Sequence, residues 1–197
     1  MNATALRTLL AMRSKGEVSG PAGALAHRGV HAADVARICT FPQSAEELFF
    51  LFPRATHPLT PDQLQRAIDQ RFDSTVVLLD GEPAGFANFH VREVEGTCSI
   101  GNVMVAPEAR GKGVGRYLIE TMASLALRRH RAREVRISCF NANVAGRLLY
   151  SKVGFLPYGV ERRLDPAGGR VALVHMQLSR EAVERLRGGS QGDRHQV

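Results

Sequence analysis

The sequence Ala106-Pro107-Glu108-Ala109-Arg110-Gly111-Lys112-Gly113-Val114-Gly115-Arg116 follows a strand-like run and opens a long apolar-periodic stretch, setting three alternating glycines among three cations. The first turn of a helix carries backbone N–H groups without intrahelical acceptors, at the positive end of the helix dipole. A strand-to-helix turn of this kind therefore binds phosphate oxygens. Gly111, Gly113 and Gly115 remove the Cβ atoms that would hold an anion off the backbone, and Arg110, Lys112 and Arg116 add positive charge. A pyrophosphate is the natural guest. Two familiar phosphate turns are excluded: the spacing is not GxGxxG, and Gly111-Lys112 lacks the upstream glycine and following Ser or Thr of a P-loop. A turn that merely reverses the chain is the plainer reading. Three glycines, three cations and a helix start together favour the anion site.

Further along stands Asn143-Val144-Ala145-Gly146-Arg147-Leu148-Leu149-Tyr150-Ser151-Lys152-Val153-Gly154-Phe155. With Arg110-Gly111-Lys112-Gly113-Val114-Gly115, it resembles the two motifs of the GNAT superfamily of acetyl-CoA-dependent N-acetyltransferases, in the family's order. In element order the resemblance runs over about residues 24–178. It implies acetyl-CoA as co-substrate and an amine as acceptor. It also implies a strand that splays from its parallel neighbour, with Val103, Met104 and Val105 offering main chain to the pantetheine arm. The N–H near Val103 or Met104 would polarise the thioester carbonyl, and the backbone from Arg110 through Lys112 and Val114 to Arg116 would take the pyrophosphate. Asn143 would bond a pantetheine amide and Tyr150 would approach the sulfur. Such chemistry is economical: a neutral amine attacks, fixed N–H donors stabilise the oxyanion, and a phenol of pKa about 10 protonates the thiolate. Tyr150 as a buried aromatic with a satisfied hydroxyl is the alternative.

The family often places a carboxylate base on the strand before the splay, but residues 98–102 read Cys-Ser-Ile-Gly-Asn, without an acid. On the preceding strand, alternation puts Phe86, Asn88 and His90 on one face, and hairpin pairing sets Asn88 opposite Asn102 or Val103. Asn88 and Asn102 either bond each other or hold a substrate amide or a proton-relaying water. His90 and His175 are strand histidines able to act as bases, though an orienting partner for either is not visible in sequence. Glu47, in an early helix, could meet an amine; its place in a capping box with Ser44 explains it without function. No metal site is expected, because Gly29 breaks the helical spacing of His27 and His31 and no CxxC pair exists.

These residues need a framework, and the apolar periods supply one. Short helices are expected at 31–38 and 44–52, and a third opened by Thr60-Pro61 carries the stripe Leu64, Ala67, Ile68 and Phe72. Runs 75–79, 84–92 and 98–105 read as an antiparallel meander, followed by a long helix over 113–130. A strand at 134–139, a helix at 143–152 and a hairpin of 155–162 with 170–178 complete a mixed α/β fold. The expectation is a mostly antiparallel sheet of six to seven strands flanked by helices, with a splayed pair at the acyl-CoA site. Residues 1–22, rich in Ala, Ser and Gly, read as a flexible extension, 23–180 as the acetyltransferase domain and 181–197 as a tail.

With 197 residues, 44% hydrophobic and 23% charged, the chain suits one domain and excludes disorder and fibrous classes. Its apolar runs are too short to span a membrane. Three scattered cysteines fit a reducing, cytoplasmic setting. A net charge of +7 favours anionic partners and disfavours polyamines and aminoglycosides as acceptors. The lack of tryptophan and 6% aromatic content argue against nucleic acid, despite the basic run from Arg128 to Arg133. The acceptor this favours pairs a carboxylate with its primary amine, with Arg54, Arg162 or Arg163 as salt-bridge partners, or is a protein N-terminus. A non-catalytic acetyl-CoA sensor of the same fold is the rival reading, and a homodimer is compatible with either.

Overall fold

The computed structural model describes residues 23–188. One seven-stranded sheet runs in the order β1-β2-β3-β4-β5-β7-β6. Its strands are β1 (Leu25–Gly29), β2 (Phe72–Leu79), β3 (Glu82–Arg92), β4 (Thr97–Val105), β5 (Glu134–Phe140), β6 (Phe155–Leu164) and β7 (Arg170–Leu178). Every adjacent pair is antiparallel except β4 with β5. Six α-helices join them: α1 (Val35–Ile38), α2 (Ala45–Leu51), α3 (Pro61–Gln70), α4 (Val114–Arg128), α5 (Val144–Val153) and α6 (Arg180–Gly188). This is the mixed, mostly antiparallel α/β sheet expected from the alternation of periods. Tight turns can join only antiparallel neighbours, so the lone parallel pair falls where α4 carries the chain across from β4 to β5.

Local chemistry accounts for the helix starts. Ser44 Oγ accepts the Glu47 N–H at 3.1 Å, while the Glu47 carboxylate accepts from Gln43 N–H at 2.7 Å, one residue before the position a regular capping box uses. Thr60 caps α3, with Pro61 in its first turn. On α4, Val114, Leu118 and Met122 are wholly buried, and they meet a core that includes Phe86 and Phe89 of β3 and Met104 of β4. Each such side chain contributes roughly 1.5–3 kcal/mol by leaving water.

Three boundaries depart from expectation. The helix expected at 31–38 is a 3-10 turn, Ala32–Asp34, followed by the single turn α1. Strand β2 starts at Phe72 rather than 75, because Asp73 adopts a left-handed φ of 48° and shifts the register between Phe72 and Thr75. The packed domain also continues past residue 180: α6 is capped by Ser179, whose Oγ accepts Ala182 N–H at 3.2 Å, and it buries Ala182. The expected extension at 1–22, and the end of the expected tail, lie outside the described residues. Among the described residues no helix is long and apolar enough to cross a membrane, and no group of three potential metal ligands forms.

Gly154, in the second motif, ends α5 at φ 112°, and a Cβ there would lie 2.6 Å from Ala182 Cβ. Glycine is required twice over, by the left-handed backbone and by the contact with α6. Gly154→Ala is expected to lower unfolding free energy by about 2–3 kcal/mol in denaturant titration. A loss below about 0.5 kcal/mol would show that α6 does not rest on this turn.

Candidate active site

Strand pairing creates the site. The parallel ladder of β4 with β5 ends at Ile100 opposite Ile137, although β4 continues to Val105 and β5 to Phe140. Beyond that pair β5 bonds only to β7, through Ser138–His175 and onward, while β4 bonds only to β3. The β4 main chain through Val103, Met104 and Val105 therefore has no strand on its β5 side. A β-bulge produces the parting: Asn88 opposes Gly101 and Phe86 opposes Met104, so Asn102 and Val103 share one place against β3. Asn102 takes a left-handed φ of 52° to do so. Bulges bend and twist the strand that carries them, which turns β4 away from β5. Asn88 thus faces Gly101, not Asn102 or Val103 as simple hairpin counting suggested.

The glycine turn stands at the end of the parted strand. After the 3-10 turn Pro107–Ala109, Gly111 and Gly113 have φ of 77° and 84°, and a Cβ on either would meet only open space. The first α4 hydrogen bond runs from Tyr117 N–H to Gly113 C=O, so the N–H groups of Val114, Gly115 and Arg116 precede the ladder. Gly115 has a packing task as well, since its Cβ would come 3.1 Å from Leu149 of α5. The cationic side chains divide their work. Arg116 pairs with Glu120 at 3.0 Å, whereas Arg110 binds Glu47 at 2.6 Å and the carbonyls of Phe41 and Val105 at 3.3 and 3.4 Å. Arg110 therefore ties the turn to α2, and its side chain is structural. The Glu47 carboxylate, expected to meet an amine, is engaged by Arg110 and Gln43 N–H and does not line the cavity described below.

On the other side of the gap, Asn143 caps α5, its Oδ1 accepting Gly146 N–H at 2.9 Å. Tyr150 is 5% exposed, with its ring 6.4 Å from Phe155. Burial, with the neighbouring Cys139 adding to it, pushes the phenol far above its ordinary pKa. Tyr150 thus keeps its proton throughout the physiological range.

A cavity of about 540 Å³ occupies the opening between the strands. Its wall takes Gly101 and Asn102 from β4, Ser138 from β5, His90 from β3, His175 from β7, and aromatic residues of α2. The charged residues in the wall are Arg54, Arg71 and Arg163, with no carboxylate among them. Arg163 is neutralised by Glu161 at 2.9 Å. Arg71 donates to Asn88 Oδ1 at 3.1 Å, lies over the Phe52 ring, and has no carboxylate partner among the described residues. Asn88, fully buried, is consequently a support for Arg71 and reaches the cavity only through it. The Asn88 and Asn102 Nδ2 groups are buried without hydrogen-bond partners among the described residues. Asn102 lines the cavity and can offer its amide to a ligand there.

Arg71 and Ser138 escaped sequence reasoning. A lone arginine between a helix and a strand carries no motif, and Ser138 acquires its neighbours from strand order. The bulge did leave a trace: a Gly-Asn pair inside a strand run marks a place where φ turns positive. Arg162 does not line the cavity, whereas Arg54 and Arg163 do. Desolvation, then the fields of Arg71 and Arg54, hold the His90 imidazole below its ordinary pKa, so it is neutral at pH 7. Replacing Arg71 by Gln removes one of the repelling cations and should move the His90 titration to higher pH. Histidine NMR resonances followed against pH check this, and an unmoved midpoint would mean that Arg71 does not act on His90.

Residues 40–155 match the acetyltransferase (GNAT) family, a span containing the bulge, the glycine turn and α5. Solved structures share the fold. The ribosomal-protein-alanine N-acetyltransferase from Brucella melitensis is 21% identical, with 77% of this chain and 98% of that one covered at a TM-score of 0.63. The acetyltransferase yncA from Salmonella typhimurium, solved with its cofactor acetyl-CoA, is 23% identical over 79% and 94%, at 0.62. RimJ from Mycobacterium smegmatis, in complex with CoA-disulfide, is 18% identical over 87% and 91%, at 0.66. With the parted strands, the glycine turn and a family match over more than half its length, this chain belongs to the acetyltransferase (GNAT) family.

Proposed function

We propose that the protein transfers the acetyl group of acetyl-CoA to the primary amine of a small, amino-acid-like acceptor that carries an anionic group. The cavity beside the parted strands carries this reading: among the described residues Arg71 lies in its wall without a carboxylate partner, Arg54 stands near enough to act on it, and no acid lines the space. An unpaired guanidinium turned to a pocket is a charge-assisted site for a carboxylate or phosphonate. A polyamine would meet like charge there.

Acetyl-CoA is the co-substrate. Its pyrophosphate belongs on the N–H groups of the turn from Gly111 to Arg116, with Lys112 beside them, and its pantetheine arm belongs along Val103 to Val105. The Asn143 amide, whose oxygen is engaged in the helix cap, offers its Nδ2 donor to a pantetheine carbonyl. N–H groups at the bulge hold the developing oxyanion, and Tyr150 hands a proton to the departing thiolate. The acceptor's anionic group sits on Arg71 and Arg54, which turns its amine toward the bulge, with Asn102 donating to it.

The deciding experiment titrates the protein with acetyl-CoA by calorimetry, then follows thiol release with acidic amino acids, aminophosphonates, polyamines and short peptides. Anionic acceptors are expected to turn over best, and Arg71→Gln should raise their KM about 10- to 100-fold with acetyl-CoA affinity unchanged. Best turnover with spermine would overturn the acceptor assignment, and acetyl-CoA binding without thiol release would favour the sensor reading. Tyr150→Phe should reduce kcat about 100-fold or more while leaving acetyl-CoA binding intact; an unchanged kcat removes Tyr150 from the acid role.

A further inference from the structure

Three side chains stand in a row across neighbouring strands at the mouth of the gap. Ser138 Oγ lies 2.9 Å from His175 Nδ1, and His175 Nε2 lies 3.4 Å from Glu161 Oε2. Ser138 and His175 are direct partners in the β5–β7 ladder, and β7 hydrogen-bonds β6, which carries Glu161, on its other side. Ser138 is also the first β5 residue beyond the last pair with β4, so it lies where the two strands part. Ser138 and His175 both line the cavity opposite Gly101 and Asn102 of the bulge.

The Glu161 carboxylate faces Nε2 as an ion-pair neighbour, and its negative charge favours the tautomer with the proton there. In that tautomer the lone pair is on Nδ1 and accepts the Ser138 hydroxyl proton. A base held by a third group and linked to a hydroxyl is built to move a proton. We infer that Ser138 and His175 form the relay that removes the proton from the acceptor's nitrogen, with Glu161 orienting the imidazole. This rests on the acetyltransferase reading above. As the amine nitrogen bonds to the thioester carbon, its proton passes to Ser138 Oγ while the Ser138 proton passes to His175 Nδ1. The carbon–sulfur bond then breaks, the thiolate takes a proton from Tyr150, and the imidazolium returns its proton to solvent, from which Tyr150 is restored. Acetyl-CoA and amine become amide and CoA thiol.

The groups around His175 fit this task. Tyr158 of β6 lies with its ring 6.0 Å from the imidazole, and Arg163 pairs with Glu161, tempering but not removing its charge. Arg54, Arg71 and His90 occupy the same cavity wall. His90 is the competing base. No hydrogen bond orients its ring among the described residues, and the two arginines oppose the positive charge it would have to accept.

The test measures pH–rate profiles of the full chain with acetyl-CoA and its best acceptor, for the wild type and for Ser138→Ala, His175→Gln and His90→Gln. Ser138→Ala and His175→Gln are expected to lower kcat about 100-fold or more and to abolish the acidic limb, while acetyl-CoA affinity stays within about threefold. His90→Gln should retain that limb. Persistence of the limb in His175→Gln, or its loss in His90→Gln, overturns the proposal. Nitrogen-15 NMR of the wild-type histidines supplies a readout independent of turnover. A protonated Nε2 with bare Nδ1 at His175 supports the relay, and a protonated Nδ1 overturns it whatever the activity. Failure of the wild type to bind acetyl-CoA would instead count against the functional reading, with the tautomer still reporting whether the relay is built.

Discussion

The ladder between β4 and β5 stops at Ile100 and Ile137, and the rest of the molecule is arranged around that stop. Continuing it would bury the β4 main chain against β5, leaving a closed sheet and no place for an acyl chain. Ending it exposes unpaired backbone groups, which are tolerable only where water or a ligand reaches them. The bulge at Asn102 sets the direction of the parting. Both motifs then lie at the edges of the gap, since α4 begins just after β4 and α5 just after β5. One backbone irregularity thereby determines where the two motifs and the cavity meet.

Holding the gap open takes contacts distant in sequence. Arg110 reaches from the turn to Glu47 of α2 and to the Phe41 carbonyl, fixing the helices that wall the acceptor side. Gly115 lets α4 and α5 approach through Leu149 at the opposite edge. Gly154 and Ala182 press α6 against the end of α5, where Tyr150 sits one turn earlier. The gap is bounded by parts that cannot drift independently, as a site needing reacting atoms placed within fractions of an ångström requires.

What the sequence revealed was what local chemistry dictates. Caps at Ser44 and Thr60, the glycine turn and the α5 segment are each encoded within a few residues, and the structure contains them in those places. Alternation disclosed the strands and the mixed sheet. Reading the function of single side chains from spacing fared worse. Glu47 pairs with Arg110 and the Asn88 oxygen accepts from Arg71, contacts between distant segments that spacing does not disclose. Ser138, His175 and Glu161 come together because β7 inserts between β5 and β6, a consequence of sheet order that no short window records. The helix α6 was missed for another reason: its many charged residues mask a short inner face centred on Ala182.

Among the described residues no carboxylate lines the cavity, which suits the anionic acceptor proposed for it. A glutamate base beside the bulge would pair with Arg71, cancel the cation proposed to hold that acceptor, and lower its own basicity in doing so. An imidazole base avoids that conflict, because it carries no negative charge to compete for the guanidinium. The two proposed roles fall to different elements: Arg71 follows the end of α3, and His175 comes from β7, with Glu161 beside His175 and Arg163 rather than in the cavity wall. In the proposed complex both ligands are anionic, yet they are held by different means, the phosphates by backbone N–H groups and the acceptor by guanidinium. On that reading the helix start serves one end of the cleft and the carboxylate-free Arg71 the other, so the proposed proton path needs no carboxylate in the wall between them.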